Sequence, residues 1–219
     1  MSTESIYKIL QILEENNISI VKYRKNSYLM YQGLDLDYIY VLKDGVVKIS
    51  KILRDGRVYH INYLSSPSFV DLADGDNKTS SFNVRIETDS ASFYAIPKMI
   101  FKEWVLKNTQ IIKCVSDYHK KRLESDINRC RNMIVNGKKG AVCSFLVNLV
   151  NEFGVRKKKG ILINFRVTNK DISGFCGISS TTSVNRIIKG LEKIGVLKIV
   201  GNKIMIYDLK YLEDYTNLS

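Results

Sequence analysis

Residues 168–207 read TNKDISGFCGISSTTSVNRIIKGLEKIGVLKIVGNKIMIY, and the order of signals within them decides the fold. Thr168 is placed to cap a first short helix, with Asp171 at the third position of a capping box. Ile172 and Phe175 give that helix an apolar side, and Gly177 supplies a residue that can turn sharply. Ser179 or Ser180 then caps a second helix, in which Val184, Ile187, Ile188 and Leu191 recur at helical spacing. Gly195 ends it. Two β-prone runs follow, 196–200 and 203–207, joined by Gly201-Asn202, a two-residue hairpin signal. Helix, tight turn, helix and basic hairpin is the order that lays one helix in a DNA major groove while a wing touches phosphate.

Charge supports that reading by where it lies. The chain of 219 residues carries a formal net charge of +12. From residue 136 onward there are 14 Lys and Arg against 6 Asp and Glu, a net +8, and the first 135 residues supply the remaining +4. Neutralisation of phosphates by Lys and Arg provides most non-specific DNA affinity, so a basic C-terminal part fits a DNA partner. A hydrophobic content of 45% implies a folded chain rather than a disordered one.

Four cysteines, Cys114, Cys130, Cys143 and Cys176, stand far apart without a CxxC pair, a spacing that suggests neither zinc nor an iron–sulfur cluster. The opening MSTESIYKILQILEENN holds acidic residues and no apolar run, so no signal peptide is expected. No segment approaches the roughly 18 apolar residues of a membrane span. A cytoplasmic protein with reduced thiols, and no membrane partner, is expected. An enzyme finds no support: His60 and His119 lack partner motifs, and no phosphate loop, nucleophile elbow or metal-ligand spacing appears. No cofactor is expected.

Ahead of the C-terminal unit the texture changes twice. Residues 4–17 form an amphipathic helix through Ile6, Ile9, Leu10 and Leu13. Short β-prone runs follow at 27–31, 38–42, 46–53, 58–64, 82–87 and 92–96, broken by turns at Asp44-Gly45, Asp55-Gly56 and Asp74-Gly75. They predict a β-sandwich or roll. Pro97 precedes a helical stretch with Phe101 and Trp104. Between 108 and 136 there is neither Gly nor Pro, and Ile112, Val115, His119, Leu123, Ile127, Cys130 and Ile134 step by three and four. A helix of about 28 residues runs about 42 Å. Its stripe is near the heptad of a coiled coil, so it is read as a dimerisation helix that also links the two halves. Gly137 ends it, and a further amphipathic helix near 141–152 and a β-prone run at 161–167 lead into residue 168. The expected class is α+β, in three parts. A β-roll of the jelly-roll, cyclic-nucleotide-binding-like kind occupies 1–107, the long dimerisation helix 108–136, and a winged helix-turn-helix 137–219.

In that order these parts resemble the Crp/Fnr family of bacterial transcription regulators, along nearly the whole chain. GISSTTSVNRIIKGLEKIGVL, residues 177–197, looks like the family's recognition-helix signature. NGKKGAVCSFLVNLV, residues 136–150, resembles the PrfA-like branch known from low-GC Gram-positive bacteria. The resemblance implies a homodimer on double-stranded DNA that recruits or blocks RNA polymerase; transcription activation is one expected output.

Two departures from the family pattern shape the expectations. The family's cyclic-nucleotide cassette has Gly-Glu-Leu followed by an Arg-Ser or Arg-Thr pair. Here the text is SFVDLADGDNKTSSFNVRIE, with Asp71-Leu72 lacking the Gly and Ser80-Ser81 where the Arg pair belongs. A buried phosphate needs an arginine or a comparable donor cluster, and Arg85 matches a later family arginine. Cyclic AMP binding is therefore not expected. Glutathione, which the PrfA-like branch binds, is a small-molecule effector that the resemblance implies, with the aromatic stretch around Tyr63 near such a pocket. Second, the family often reads DNA with an Arg-Glu pair and a later Arg. Ser180, Thr181 and Thr182 replace the pair, and Arg186 survives at the later arginine's position.

Arg186 is expected to supply most polar base specificity through guanine O6 and N7. Ser183 or Thr182 would add methyl or phosphate contacts. Thr168 and Asn169 would offer backbone N–H groups to a phosphate, and Lys203 would lie along the backbone from the wing. Residues 156–159, Arg-Lys-Lys-Lys, form a basic hairpin tip that could touch flanking phosphates or simply be solvated. The alternative reading is a ligand-binding sensor that acts by protein contact, its DNA reader degenerate.

Overall fold

The computed structural model describes residues 3–71 and 79–216. The Asp74-Gly75 turn and Leu72 lie outside the described residues, as do the side chains of Asp71 and Ile134. The chain divides into two compact units, Met1–Lys121 and Arg122–Ser219, and the division falls inside one long helix.

Among the described residues the first unit has eight strands: β1 (Ile20–Arg24), β2 (Tyr28–Met30), β3 (Tyr38–Asp44), β4 (Val46–Ile52), β5 (Val58–Ser65), β6 (Ser68–Asp71), β7 (Asn83–Ile86) and β8 (Ser90–Pro97). They form two antiparallel four-stranded sheets, β1-β8-β3-β6 and β2-β7-β4-β5. Leu42, Ala91 and Phe93 of the first sheet share one apolar core with Val47, Ile49, Val84 and Ile86 of the second. Phe93 has no exposed surface and meets the rings of Tyr23 and Tyr40 edge-on at 6.0 and 6.4 Å.

The other side of the first sheet is buried as well. Ile39, Val41, Phe69, Tyr94 and Ile96 pack under Ile6, Ile9 and Leu13 of α1 (Thr3–Glu15). Phe101 and Trp104 of α2 (Lys98–Lys107) and Cys114, Val115 and Tyr118 of α3 (Thr109–Phe153) close over the same face. Two polar anchors fix these helices. Tyr94 Oη donates to Glu14 Oε1 at 2.8 Å, and Tyr118 Oη donates to the Phe69 carbonyl at 2.6 Å. The Tyr94 hydroxyl first, and then Lys43, holds the Glu14 carboxyl below its ordinary range. Burial on both faces explains why β8 reads SASFYAIP, a nearly unbroken apolar run rather than an alternation.

The second unit contains the C-terminal part of α3, then β9 (Gly154–Lys157), β10 (Gly160–Ile163), α4 (Asn169–Phe175), α5 (Thr181–Lys193), β11 (Leu197–Val200), β12 (Lys203–Ile206) and α6 (Leu209–Asp214). Its sheet runs β11-β12-β10-β9. Val142, Leu146, Leu149, Ile163, Ile172, Phe175, Val184, Ile188, Leu191, Leu197, Ile206 and Leu212 are among its buried apolar residues. Phe145 stacks on Phe175 at 4.7 Å.

Three differences from the sequence reading have physical causes. The strands β1, β6 and β9 and the helix α6 were not expected from the sequence; β1 is exposed at alternate positions and β9 throughout, so neither has a fully buried face to mark it. The β-prone run at 161–167 stops at Ile163, where Asn164 N–H turns to the Phe153 carbonyl at 2.8 Å and Phe165 stacks on Phe153 at 4.6 Å. The stripe on α3 is two stripes. Ile111, Cys114, Val115 and Tyr118 face the first unit's own core, whereas Leu123 and Ile127 stay 61% and 57% exposed.

Phe93→Ala should cost the first unit about 3–5 kcal/mol, the range for emptying a buried aromatic site. Phe93→Leu should cost much less. Chemical unfolding followed through Trp104 measures both; equal, small losses would mean that the core between the sheets is not packed as described.

Candidate nucleic-acid interface

α4 and α5 are each positioned by a side-chain cap at the N-terminus. Thr168 Oγ1 accepts the Asp171 N–H at 3.1 Å, and Asp171 Oδ2 accepts the Thr168 N–H at 3.0 Å, a complete capping box. α4 ends in a Schellman motif: Gly177 sits at φ 61° and the Ile178 N–H returns to the Ser173 carbonyl at 3.0 Å. A left-handed residue is needed there, which glycine supplies without a Cβ clash. The Ser173 hydroxyl also donates to the Ile178 carbonyl, closing the turn. Ser180, rather than Ser179, caps α5, its hydroxyl accepting the Ser183 N–H. Asn169 Nδ2 reaches Asn185 Oδ1 at 3.5 Å and ties the two helices together.

Packing then fixes which side of α5 faces water. Val184, Ile188 and Leu191 are buried, so Thr182, Arg186, Lys189 and Lys193 lie exposed along the opposite side at steps of four, three and four. Thr181 is exposed beside them, and Ser183 is half-buried. The remaining charge on this helix, Glu192, is turned away: its Oε1 accepts the Ile199 N–H of β11 at 3.0 Å. The outward charge of α5 is therefore all positive. Sequence reading singled out Arg186 and missed Lys189 and Lys193; their offsets of three and seven from Arg186 were the available signal.

Between the wing β11–β12 and the start of α4 lies a hollow of about 200 Å³. Ile172, Ile188, Ile199 and Ile204 floor it, and Arg166, Thr168, Asn169, Asn202 and Lys203 stand at its polar rim. Lys203 Nζ donates to Asn164 Oδ1 at 2.6 Å, which leaves further N–H donors on the same ammonium. The two cations and two amides of its rim, Arg166, Lys203, Asn169 and Asn202, are suited to a phosphate. Arg166 and Asn202 were not foreseen. Thr168 is used differently from expectation, since both its N–H and its hydroxyl are engaged with Asp171.

Register places the basic tip at 156–159. Ile161 pairs with Ile206 and Ile163 with Ile204, while Gly160 pairs with Lys157 and Val200 with Lys203. The turn at 158–159 and the wing turn at 201–202 thus sit at opposite ends of one sheet, about 13 Å apart along the strands at about 3.3 Å per residue. The basic tip points away from the hollow, a direction that a run of like charges in a sequence does not reveal. Thiol chemistry is also absent from this surface: Cys143 and Cys176 are buried, and burial pushes the Cys143 thiol up to about 11. Among the described residues no helix is long and apolar enough to cross a membrane.

Comparison with known proteins agrees with this geometry. Residues 20–108 match the cyclic nucleotide-binding domain family, and residues 140–215 match the Crp-like helix-turn-helix domain family. The chain is 42% identical over 217 residues to the lactate racemization regulatory protein of Lactiplantibacillus plantarum, covering 98% of each. It is 25% identical over 207 residues to the listeriolysin regulatory protein of Listeria monocytogenes, covering 93% of this chain and 87% of that protein. The fold is shared with CooA from Carboxydothermus hydrogenoformans at a TM-score of 0.75 and 15% identity, over 94% of this chain and 90% of the other.

Thr168→Ala removes the side-chain half of the capping box, leaving the Thr168 N–H on Asp171, and should lower the stability of the second unit by about 1 kcal/mol, whereas Thr168→Ser should not. Thermal unfolding in the absence of DNA checks this. A neutral Thr168→Ala would take the cap out of the account.

Proposed function

The chain belongs to the Crp/Fnr family of DNA-binding transcription regulators, and on that premise we propose that it acts as a homodimer whose two α5 helices read a palindromic duplex. One observation carries this reading: the exposed side of α5 presents Thr182, Arg186, Lys189 and Lys193 in a row, next to a polar-rimmed hollow under the wing. Arg186 is the proposed base reader, placed to give two hydrogen bonds to a guanine. Ser180, Thr181, Thr182 and Ser183 at the start of α5 supply hydroxyls and methyl groups to bases or phosphates. Asn169 and Lys203, with Thr168 holding the shape of the rim, take the phosphate that enters the hollow.

The dimer seam proposed is α3 ahead of Gly137, where Leu123, Ile127 and the exposed Cys130 lie at heptad spacing without cover from their own chain. A two-fold axis along it sets half-sites about one helical turn, roughly 34 Å, apart. Cyclic AMP is not the effector in this reading. Ser80 and Ser81 carry no charge, and the Ser80 hydroxyl is already bonded to the Phe82 carbonyl at 2.8 Å. Glutathione is the proposed small-molecule effector, near Tyr63, whose ring lies 6.0 Å from the Lys48 ammonium. RNA polymerase is the proposed protein partner, with the basic tip at 156–159 turned to a surface other than the reader's DNA. Likeness to the L. plantarum regulator suggests lactate racemization as the process controlled. The compartment proposed is the cytoplasm, and no catalytic role is assigned.

Arg186→Ala should weaken binding to the selected site by about tenfold or more, with random duplex bound nearly as before. Lys189→Ala should weaken both alike and flatten the salt dependence by about one unit of slope. Equal losses on specific and random duplex for Arg186→Ala would reduce that residue to a phosphate contact.

A further inference from the structure

α3 is broken at Gly137, where φ is 57° and ψ is −156°. A side chain with a Cβ adopts that backbone only with strain, so glycine is what lets α3 turn at this point. The angle at such a turn is set by whatever bridges the segments on its two sides. Here the bridge is α6 together with the turn that follows it.

Contacts reach α6 from both sides of the break. Ahead of it, Asn136 Nδ2 donates to the Tyr215 carbonyl at 2.7 Å, and the Arg131 guanidinium donates to the Thr216 carbonyl at 3.2 Å. Behind it, Lys139 Nζ donates to Tyr211 Oη at 2.8 Å and lies 5.2 and 4.8 Å from the ring centroids of Tyr211 and Tyr215. The Tyr211 hydroxyl first, then that of Tyr215, holds the Lys139 ammonium protonated well above the ordinary lysine range.

These contacts meet needs that the end of a helix creates. The last carbonyls of a helix lack partners within it and carry partial negative charge. The Leu212 and Glu213 carbonyls are taken by the N–H groups of Tyr215 and Thr216. Just past the helix, the carbonyls of the C-cap Tyr215 and of Thr216 are those that Asn136 and Arg131 take. Leu212 is fully buried and roots α6 in the core of the second unit. The stretch ahead of Gly137 is thereby fastened to the module behind it through α6.

We propose that α6 is a latch that sets the angle at Gly137, holding α5 in a fixed direction relative to the part of α3 ahead of the break. Release of Asn136 and Arg131 from the Tyr215 and Thr216 carbonyls is the step that lets the angle change. The latch needs no ligand of its own, and its existence does not depend on DNA.

Hydrogen–deuterium exchange on the full-length protein tests it. In the Arg131→Ala/Asn136→Ala double variant, amides at 135–141 should exchange about tenfold faster, the effect of losing about 1.4 kcal/mol of local hydrogen bonding. Amides of α5 and of the wing should keep their wild-type rates. No acceleration at 135–141, or an equal acceleration throughout the second unit, overturns the proposal. A second readout bears on function and rests on the DNA-reading account: adding one base pair between half-sites should weaken the double variant about threefold less than the wild type. An unchanged penalty would show that α6 does not set the angle.

Discussion

Removal of one side of α5 from water is the event on which the reader depends. A helix of 13 residues is marginal by itself, and most of its stability must come from tertiary packing. Val184, Ile188 and Leu191 provide it, at about 1.5–3 kcal/mol for each side chain fully buried. The same burial fixes the rotation of the helix about its axis. A shift of one residue is a rotation of about 100°, which would carry Arg186 off the open side and put Asn185 or Ile187 in its place. The caps at Ser180 and Thr168 then fix where α4 and α5 begin, and Asn169 and Asn185 tie them together. The direction of Arg186 is thus set chiefly by Val184, Ile188 and Leu191, which are buried on the opposite side of the helix.

The first unit follows a related logic with a different outcome. Its first sheet is covered on both faces, so α1, α2 and the start of α3 are held against the β-roll by apolar contact and by the Tyr94–Glu14 and Tyr118–Phe69 hydrogen bonds. Further along α3 that cover ends, and Leu123 and Ile127 are left to water in a single chain. Apolar residues at heptad spacing on a helix are stabilised by a second helix, which is why the proposed dimer and the proposed reader are one account.

Much of this was legible in the sequence because short-range signals agreed with one another. The Thr168–Asp171 box, Gly177, Ser180, the Val184–Ile188–Leu191 period, Gly195 and the Gly201-Asn202 turn each act within a few residues, and each stands in the structure as read. What stayed hidden was long-range or directional. β1 is an edge strand defined by its pairing with β8, some seventy residues away. The division of α3 into an inward and an outward stripe depends on which unit covers it, and the period alone could not assign Val115. The basic tip at 156–159 read as a candidate DNA contact because charge has no direction in a sequence; strand register turned it to the far end of the sheet. Lys189 and Lys193 were within reach of the same helical spacing that found Arg186, and Arg166 became visible only when the hollow under the wing was formed.

The central claim is that a dimer of this chain reads a palindrome through α5. Selection from a randomised duplex pool, with reduced, ligand-free protein at near-physiological salt, tests it most directly. The account predicts enrichment of a two-fold-symmetric site whose half-sites are about one helical turn apart, each with a guanine at a fixed position. Recovery of unspecific duplex alone, repeated in the presence of glutathione and of cyclic nucleotides, would contradict it.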